Sequence, residues 1–83
     1  MNSKITSLNR LQPGQKGVVA KLRTQGPMRR RLQDIGLIEG TELECTGRSP
    51  GGDPAAYLIK ESLIALRDED SREICIRLLP EVK

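Results

Sequence analysis

The stretch Gly26–Gly40, with the sequence GPMRRRLQDIGLIEG, contains both the start and the stop signal of one short helix. Pro27 suits the first helical position, because its missing N–H would have no partner there and its fixed φ angle matches the helix. Gly36 suits the end of the helix, because glycine adopts the left-handed conformation at little cost. These signals predict a short α-helix over about residues 27–35.

The same stretch predicts which side of the helix is buried. Met28, Leu32 and Ile35 follow one another at spacings of four and three residues, so they share one face. Leu37 comes directly after the glycine stop, at the position that packs back on Leu32. We expect these apolar side chains to anchor the helix on the rest of the fold.

Segments with the apolar or alternating pattern of β-strands lie on both sides of this helix. The five segments are Gln15–Arg23, Thr41–Arg48, Ala55–Lys60, Leu63–Arg67 and Ile74–Leu79. Alternation along them assigns these side chains to the core: Val19, Leu22, Leu43, Cys45, Tyr57, Ile59, Ile64, Leu66, Ile74, Ile76 and Leu78.

The connecting segments carry signals of their own. Residues 7–11 predict one helical turn that is capped by Ser7, with Leu8 and Leu11 facing inward. Residues 68–73 are polar and predict a second helical turn, and Ser49–Pro54 is a loop. About five short strands and one short helix between the first two strands predict a mainly β fold, a small bent barrel that forms a single domain over residues 1–83.

The composition argues against several classes of function. The 83 residues contain 14 basic and 11 acidic side chains, and a net charge of +3 is weak for a nucleic-acid binder. Histidine is absent, no serine or cysteine has an activating neighbour, and no glycine-rich phosphate loop is present. We therefore expect no enzymatic activity, no catalytic residue, no cofactor and no metal site.

The two cysteines and the apolar pattern predict a cellular compartment. Cys45 faces inward and Cys75 outward on their predicted strands, so a disulfide between them is not expected. No apolar run approaches the roughly 18 residues of a transmembrane helix, and residues 1–6 lack the apolar middle of a signal peptide. The prediction is a cytoplasmic protein with reduced cysteines that does not insert into the membrane.

The order of the motifs resembles the FeoA family. After an L-x-P-G near residue 11, the chain has R-R-L-x-D-I-G-L-I-E-G-T-E-L-E, then P-G-G-D-P, I-A-L-R and E-I-C-I-R. The resemblance covers about residues 8–79. One departure is the turn after the third strand, which is often glycine in the family and is Glu61-Ser62 here.

The resemblance implies a fold and a partner. The family has an SH3-like β-barrel and belongs to the bacterial ferrous iron transport system. Its implied partner is FeoB, a membrane permease with a cytosolic G-domain. The implied function is a small accessory protein that docks on the cytosolic side of FeoB and modulates iron(II) uptake or its coupling to GTP hydrolysis. The oligomeric state does not follow from the resemblance.

The basic run Arg29, Arg30 and Arg31 has three interpretations. It is a solvated helix face with an Arg30–Asp34 pair, a docking surface for an acidic partner, or a nucleic-acid contact. The third is the weakest, because no exposed aromatic side chains are predicted for base stacking. As a docking surface it would be joined by other candidate partner-binding residues, which are Pro50, Asp53 and Arg67.

Two alternative functions stay open beside the accessory function. One is a transcription-related regulatory SH3-like domain, since the same fold occurs in some iron-dependent repressors. The other is an iron(II) chaperone or sensor. The sequence argues against a specific iron(II) site, because such sites usually draw on imidazole and histidine is absent.

Overall fold

The computed structural model describes residues 4–80, and Met1–Ser3 and Glu81–Lys83 lie outside the described residues. The strands are β1 (Ile5–Ser7), β2 (Lys16–Leu22), β3 (Glu42–Arg48), β4 (Ala55–Ile59), β5 (Ser62–Leu66) and β6 (Ile74–Leu78). The helices are α1 (Pro27–Asp34) and α2 (Asp68–Ser71), and a 3-10 turn covers Leu8–Arg10. The predicted mainly β fold with one short helix between two strands is confirmed.

All six strands form one antiparallel sheet in the order β1-β6-β2-β3-β4-β5. The register shifts between Val19 and Lys21 in β2 and between Cys45 and Gly47 in β3. Bulges of this kind bend a strand and increase its twist, so one face of the sheet curls around the core. Over residues 4–80 the sheet has two edges, β1 and β5, and differs from the predicted barrel in not being closed.

The core consists of aliphatic side chains, Cys45 and one tyrosine. Most of the strand residues in it are those that the alternating pattern predicts to face inward. Nearly all the residues assigned to it are buried, while Ile64 and Leu78 are half-buried against it. The helix adds Leu32, the turn after it adds Leu37, and the 3-10 turn and its C-cap add Leu8 and Leu11. Cys45 is buried and Cys75 is half-buried, and neither forms a disulfide.

Strand β1 was not predicted. Its three residues pair with β6, from Ile5 opposite Arg77 to Ser7 opposite Cys75. The predicted capping role of Ser7 is wrong, because its side chain makes no hydrogen bond to the turn that follows. A three-residue strand has too short a pattern to be recognised alone, and here it is formed by pairing with β6.

Helix α1 ends in the predicted glycine stop. The N–H of Leu37 donates to the carbonyl of Leu32 at 2.9 Å, and the N–H of Gly36 donates to the carbonyl of Gln33 at 3.0 Å. These two bonds, with a φ of 95° at Gly36, form a Schellman motif. Helix α1 ends at Asp34, one residue before the predicted end, and Ile35 follows as its C-cap.

The turn after the helix is fixed to strand β2. The N–H of Val19 donates to the carbonyl of Thr41 at 2.8 Å, and the N–H of Gly40 donates back to the carbonyl of Val19 at 2.8 Å. The hydroxyl of Thr41 donates to the carbonyl of Gly36 at 2.9 Å. The position of α1 is thereby fixed relative to the sheet at its C-terminal end.

Tyr57 gives a prediction for the alkaline range. Desolvation by burial raises the pKa of its phenol above the ordinary value of 10.0. The folded state then keeps the proton while the unfolded state loses it, so the free energy of unfolding falls as the pH rises above about 10. Because Tyr57 is the only aromatic residue, an ultraviolet absorbance titration reports on it alone.

We expect the midpoint of this titration to be higher in the native chain than in the chain unfolded in urea. The Tyr57→Phe variant should show a smaller loss of stability above that pH, since it has no buried phenol to lose a proton. Equal midpoints in the folded and unfolded chains would contradict the burial of the phenol.

Candidate functional site

A groove of about 420 Å³ separates helix α1 from strand β5 and helix α2. Its lining consists of Met28, Arg31, Leu32, Ile35, Ile64, Ala65, Leu66, Arg67 and Asp70. We call this surface the α1/β5 groove. Its residues come from helix α1, from the I-A-L-R motif and from helix α2. Two of the predicted partner-binding residues, Arg31 and Arg67, line it together.

The floor of the groove is apolar. Met28 and Ile64 are partly buried and pack against the core, and Leu32 is fully buried below them. Ile35 was predicted to face inward but is 36% exposed. Ile35 continues the face of Met28 and Leu32. It lies beyond the last residue of the eight-residue helix, and its side chain is therefore only partly covered.

The rim of the groove is charged. Arg31 and Arg67 line it, and both residues are exposed. Asp70, in the second helix, supplies one carboxylate. Arg30 is exposed on the neighbouring turn of α1 but does not line the groove. The surface therefore combines apolar side chains with an excess of arginine.

Arg29 is positioned differently from its two neighbours. It is half-buried, and its Nη1 donates to the carbonyl oxygens of Leu22 at 3.0 Å and Thr24 at 3.3 Å. These carbonyls lie at the end of β2 and in the connection to α1. The guanidinium of Arg29 thus joins the helix to the strand before it.

Pro50 and Asp53 lie in the loop between β3 and β4, outside the groove lining. Pro50 is exposed. The carboxylate of Asp53 accepts a hydrogen bond from the backbone N–H of Asp68 at 2.9 Å. Asp68 is the first residue of α2 and follows Arg67, so the loop is attached to the chain at the α2 end of the groove.

Arg48 has a role that was not predicted. Its Nη2 donates to the carbonyl oxygens of Asn9 at 2.6 Å and Leu11 at 2.7 Å, and its Nη1 donates to that of Gly52 at 3.2 Å. The side chain therefore connects the 3-10 turn to the loop after β3. Its position at the end of a strand, before a loop of turn residues, gives no indication of these partners.

The comparisons with known proteins agree with this geometry. A family model described as the FeoA domain matches residues 6–78. The chain belongs to the FeoA family. The match includes every strand but the first residue of β1, and it includes the whole α1/β5 groove.

One curated relative connects the FeoA family to a transporter. It is the Fe(2+) transport protein A/Fe(2+) transporter FeoB fusion protein of Porphyromonas gingivalis, with 28% identity over 72 residues. The match covers 87% of this chain but only 8% of that protein. In that organism, a FeoA region and a FeoB transporter are parts of the same polypeptide.

Solved structures of FeoA proteins have the same fold. The FeoA-like protein of Clostridium acetobutylicum is 28% identical, with a TM-score of 0.85, and the match covers 100% of this chain and 95% of that one. A zinc complex of FeoA from Stenotrophomonas maltophilia, described as an SH3 domain protein, is 23% identical with a TM-score of 0.77 over 86% of this chain and 88% of that one. The predicted SH3-like fold is confirmed.

One other depression of this FeoA-family chain is less suited to a single class of partner. A second depression of about 600 Å³ lies at the start of β3 and contains the exposed Ile38 and Leu58. Its charged side chains are of both signs, namely Lys16 and Lys60 and three glutamates. A surface of mixed charge favours no one class of ligand.

Over residues 4–80, no three side chains of the types histidine, cysteine, aspartate or glutamate lie close enough together to hold a metal ion. None of the helices in this range has the length and apolar character needed to cross a membrane. The α1/β5 groove, with its apolar floor and its exposed arginines, is the candidate functional site.

The different environments of Arg29 and Arg30 predict different effects on stability. We expect Arg29→Ala to lower the free energy of unfolding by about 1–2 kcal/mol, because two carbonyl oxygens lose a charged donor. Arg30→Ala, one residue away on the exposed side, should change it by no more than about 0.5 kcal/mol. Urea denaturation of both variants provides the measurement, and equal losses would contradict the structural role of Arg29.

Proposed function

We propose that this chain is a non-enzymatic, cytoplasmic accessory protein of ferrous iron uptake. It docks on the cytosolic side of a FeoB-type transporter through the α1/β5 groove. The observation that carries the proposal is the relative in which a FeoA region is fused to FeoB. Fusion keeps two polypeptides at a high effective concentration, which is useful when the two parts act together.

The chemistry of the groove supports a partner segment with apolar and acidic side chains. The apolar floor, with Ile35 and Ile64, offers contacts that exclude water. Arg31 and Arg67 can each bind a carboxylate through two parallel N–H groups. Arginine is enriched at protein interfaces for this reason, whereas lysine and glutamate are depleted there.

In this proposal the six predicted partner-binding residues have different roles. Arg31 and Arg67 contact the partner in the groove, and Arg30 extends the basic surface beside them. Asp53 lies at its α2 end, where it accepts a hydrogen bond from the first N–H of the helix, and Pro50 belongs to the same loop. Arg29 supports the helix from below through its bonds to backbone carbonyls.

The proposed mechanism is modulation of the transporter by binding. A partner that binds one conformation of FeoB more tightly shifts its population toward that conformation. The docked chain would thereby alter how the nucleotide state of the G-domain is coupled to opening of the iron path. No catalytic group of the accessory chain takes part in this mechanism.

Calorimetric titration with the cytosolic G-domain of the cognate FeoB-type transporter tests the proposal. We expect saturable binding, with an affinity that falls at least about tenfold in the Arg31→Glu, Arg67→Glu double variant, because two attractive contacts become repulsive. The matched control is Arg10→Glu, Arg77→Glu, which carries the same change in net charge on exposed residues outside the groove.

Each result of this experiment is informative. Absence of association with the G-domain and with the whole transporter, in every nucleotide state, would overturn the proposed docking. Equal losses in the two double variants would place the contact outside the groove.

Two other assays separate the alternative functions. Binding to DNA with a steep dependence on salt would favour the regulatory alternative. Stoichiometric binding of iron(II) under anaerobic conditions would favour the chaperone or sensor alternative.

A further inference from the structure

Strand β5 is an open edge of the sheet. It pairs with β4 on one side, from Ala55 opposite Leu66 to Ile59 opposite Ser62, without any irregularity in the register. No hydrogen bond joins its other side to another segment within residues 4–80. The edge is therefore regular and long enough to accept a further strand.

The pattern of hydrogen bonds shows which groups are free. The two-residue turn Lys60–Glu61 closes on the pair of Ile59 and Ser62, and such a closing pair is hydrogen-bonded. Alternation from there directs the backbone groups of Ile64 and Leu66 toward β4. The N–H and C=O groups of Leu63 and Ala65 then point away from the sheet.

The edge lacks the features that normally prevent strand addition. Ser62–Leu66 contains no charged residue, no proline and no bulge. Leu63 is 64% exposed, the highest value among the large apolar side chains that are described. Natural proteins guard such edges with charges, prolines or short strands, as β1 does with its three residues. An unguarded edge of this kind is typical of an interaction surface.

We propose that β5 pairs with β5 of a second copy of this chain, antiparallel and about a two-fold axis at Ile64. In this register, Leu63 lies opposite the partner's Ala65, and Glu61 lies opposite the partner's Arg67. The free N–H and C=O groups of Leu63 and Ala65 face the corresponding groups of the partner in this arrangement. The two sheets continue across the contact.

Charge complementarity selects both the occupant and the register. Glu61 precedes the strand and Arg67 follows it, and both are exposed. Antiparallel pairing of two identical strands brings the start of one to the end of the other, so two opposite-charge pairs form at once. A shift of two residues places Arg67 opposite the apolar Leu63 or Ile59 of the partner, and no longer opposite Glu61.

The contact is small, so the dimer is expected to be weak. Two five-residue strands bury less surface than the roughly 1,200–2,000 Å² of a stable interface. The dimer should therefore form in a concentration-dependent way. Arg67 also lines the α1/β5 groove, so the dimer and a partner bound there would compete. The dimer itself requires no second protein and does not rest on the proposed function.

Sedimentation of two charge-reversal variants tests the pairing. In Glu61→Arg, each new arginine faces the partner's Arg67, and in Arg67→Glu each new glutamate faces the partner's Glu61. We expect the dimerisation constant of each variant to fall at least about tenfold. An equimolar mixture of the two should recover dimerisation to within about threefold of the original chain, because both facing pairs are again opposite in charge.

The control variant is Glu42→Arg, which changes an exposed residue on β3 and should dimerise like the original chain. Circular dichroism confirms that all variants fold. A chain that stays monomeric up to millimolar concentration would overturn the proposal. A dimer that is unaffected by the single reversals, or a mixture that dimerises no better than its components, would equally overturn it.

Discussion

The reversal of the chain at Gly36–Thr41 is the constraint on which the rest of the structure depends. The Schellman bonds end α1, and the paired bonds between Val19 and the Gly40–Thr41 segment fix that end to β2. Leu32, before the reversal, and Leu37, within it, are both buried. The helix is only eight residues long, so it covers part of the sheet and leaves β5 open beside it. The groove and the free edge both result from this arrangement.

The arginines of this small protein divide into two groups. Arg29 and Arg48 donate to backbone carbonyls and join segments that are distant in sequence or belong to different elements. Arg31 and Arg67 are exposed at the groove and are available to carboxylates of another protein. The first group supports the fold and the second supports the proposed docking. Arg67, which directly follows β5, takes part in both proposed contacts. Self-association and partner binding would therefore compete at this end of β5.

Much of the fold could be predicted because its signals are local. Alternation identified the buried side of β3, with Leu43 and Cys45, and Gly36 identified the helix stop. Strand β1 could not be predicted, since its three residues become a strand only by pairing with β6. The candidate site was predicted in part: Arg31 and Arg67 are 36 positions apart in sequence, and only the packing of α1 beside β5 brings them to one groove. The exposure of Ile35 also depends on that packing.

The proposed docking makes the α1/β5 groove the surface that would receive the cytosolic part of a FeoB-type transporter. Nuclear magnetic resonance of the labelled chain, titrated with the unlabelled G-domain, tests it most directly, because the backbone N–H of every residue other than proline reports separately. We expect changes in chemical shift that concentrate at Arg31, Ile35 and Ala65–Arg67. Changes confined to the depression around Ile38 and Leu58, or no changes at all, would contradict it.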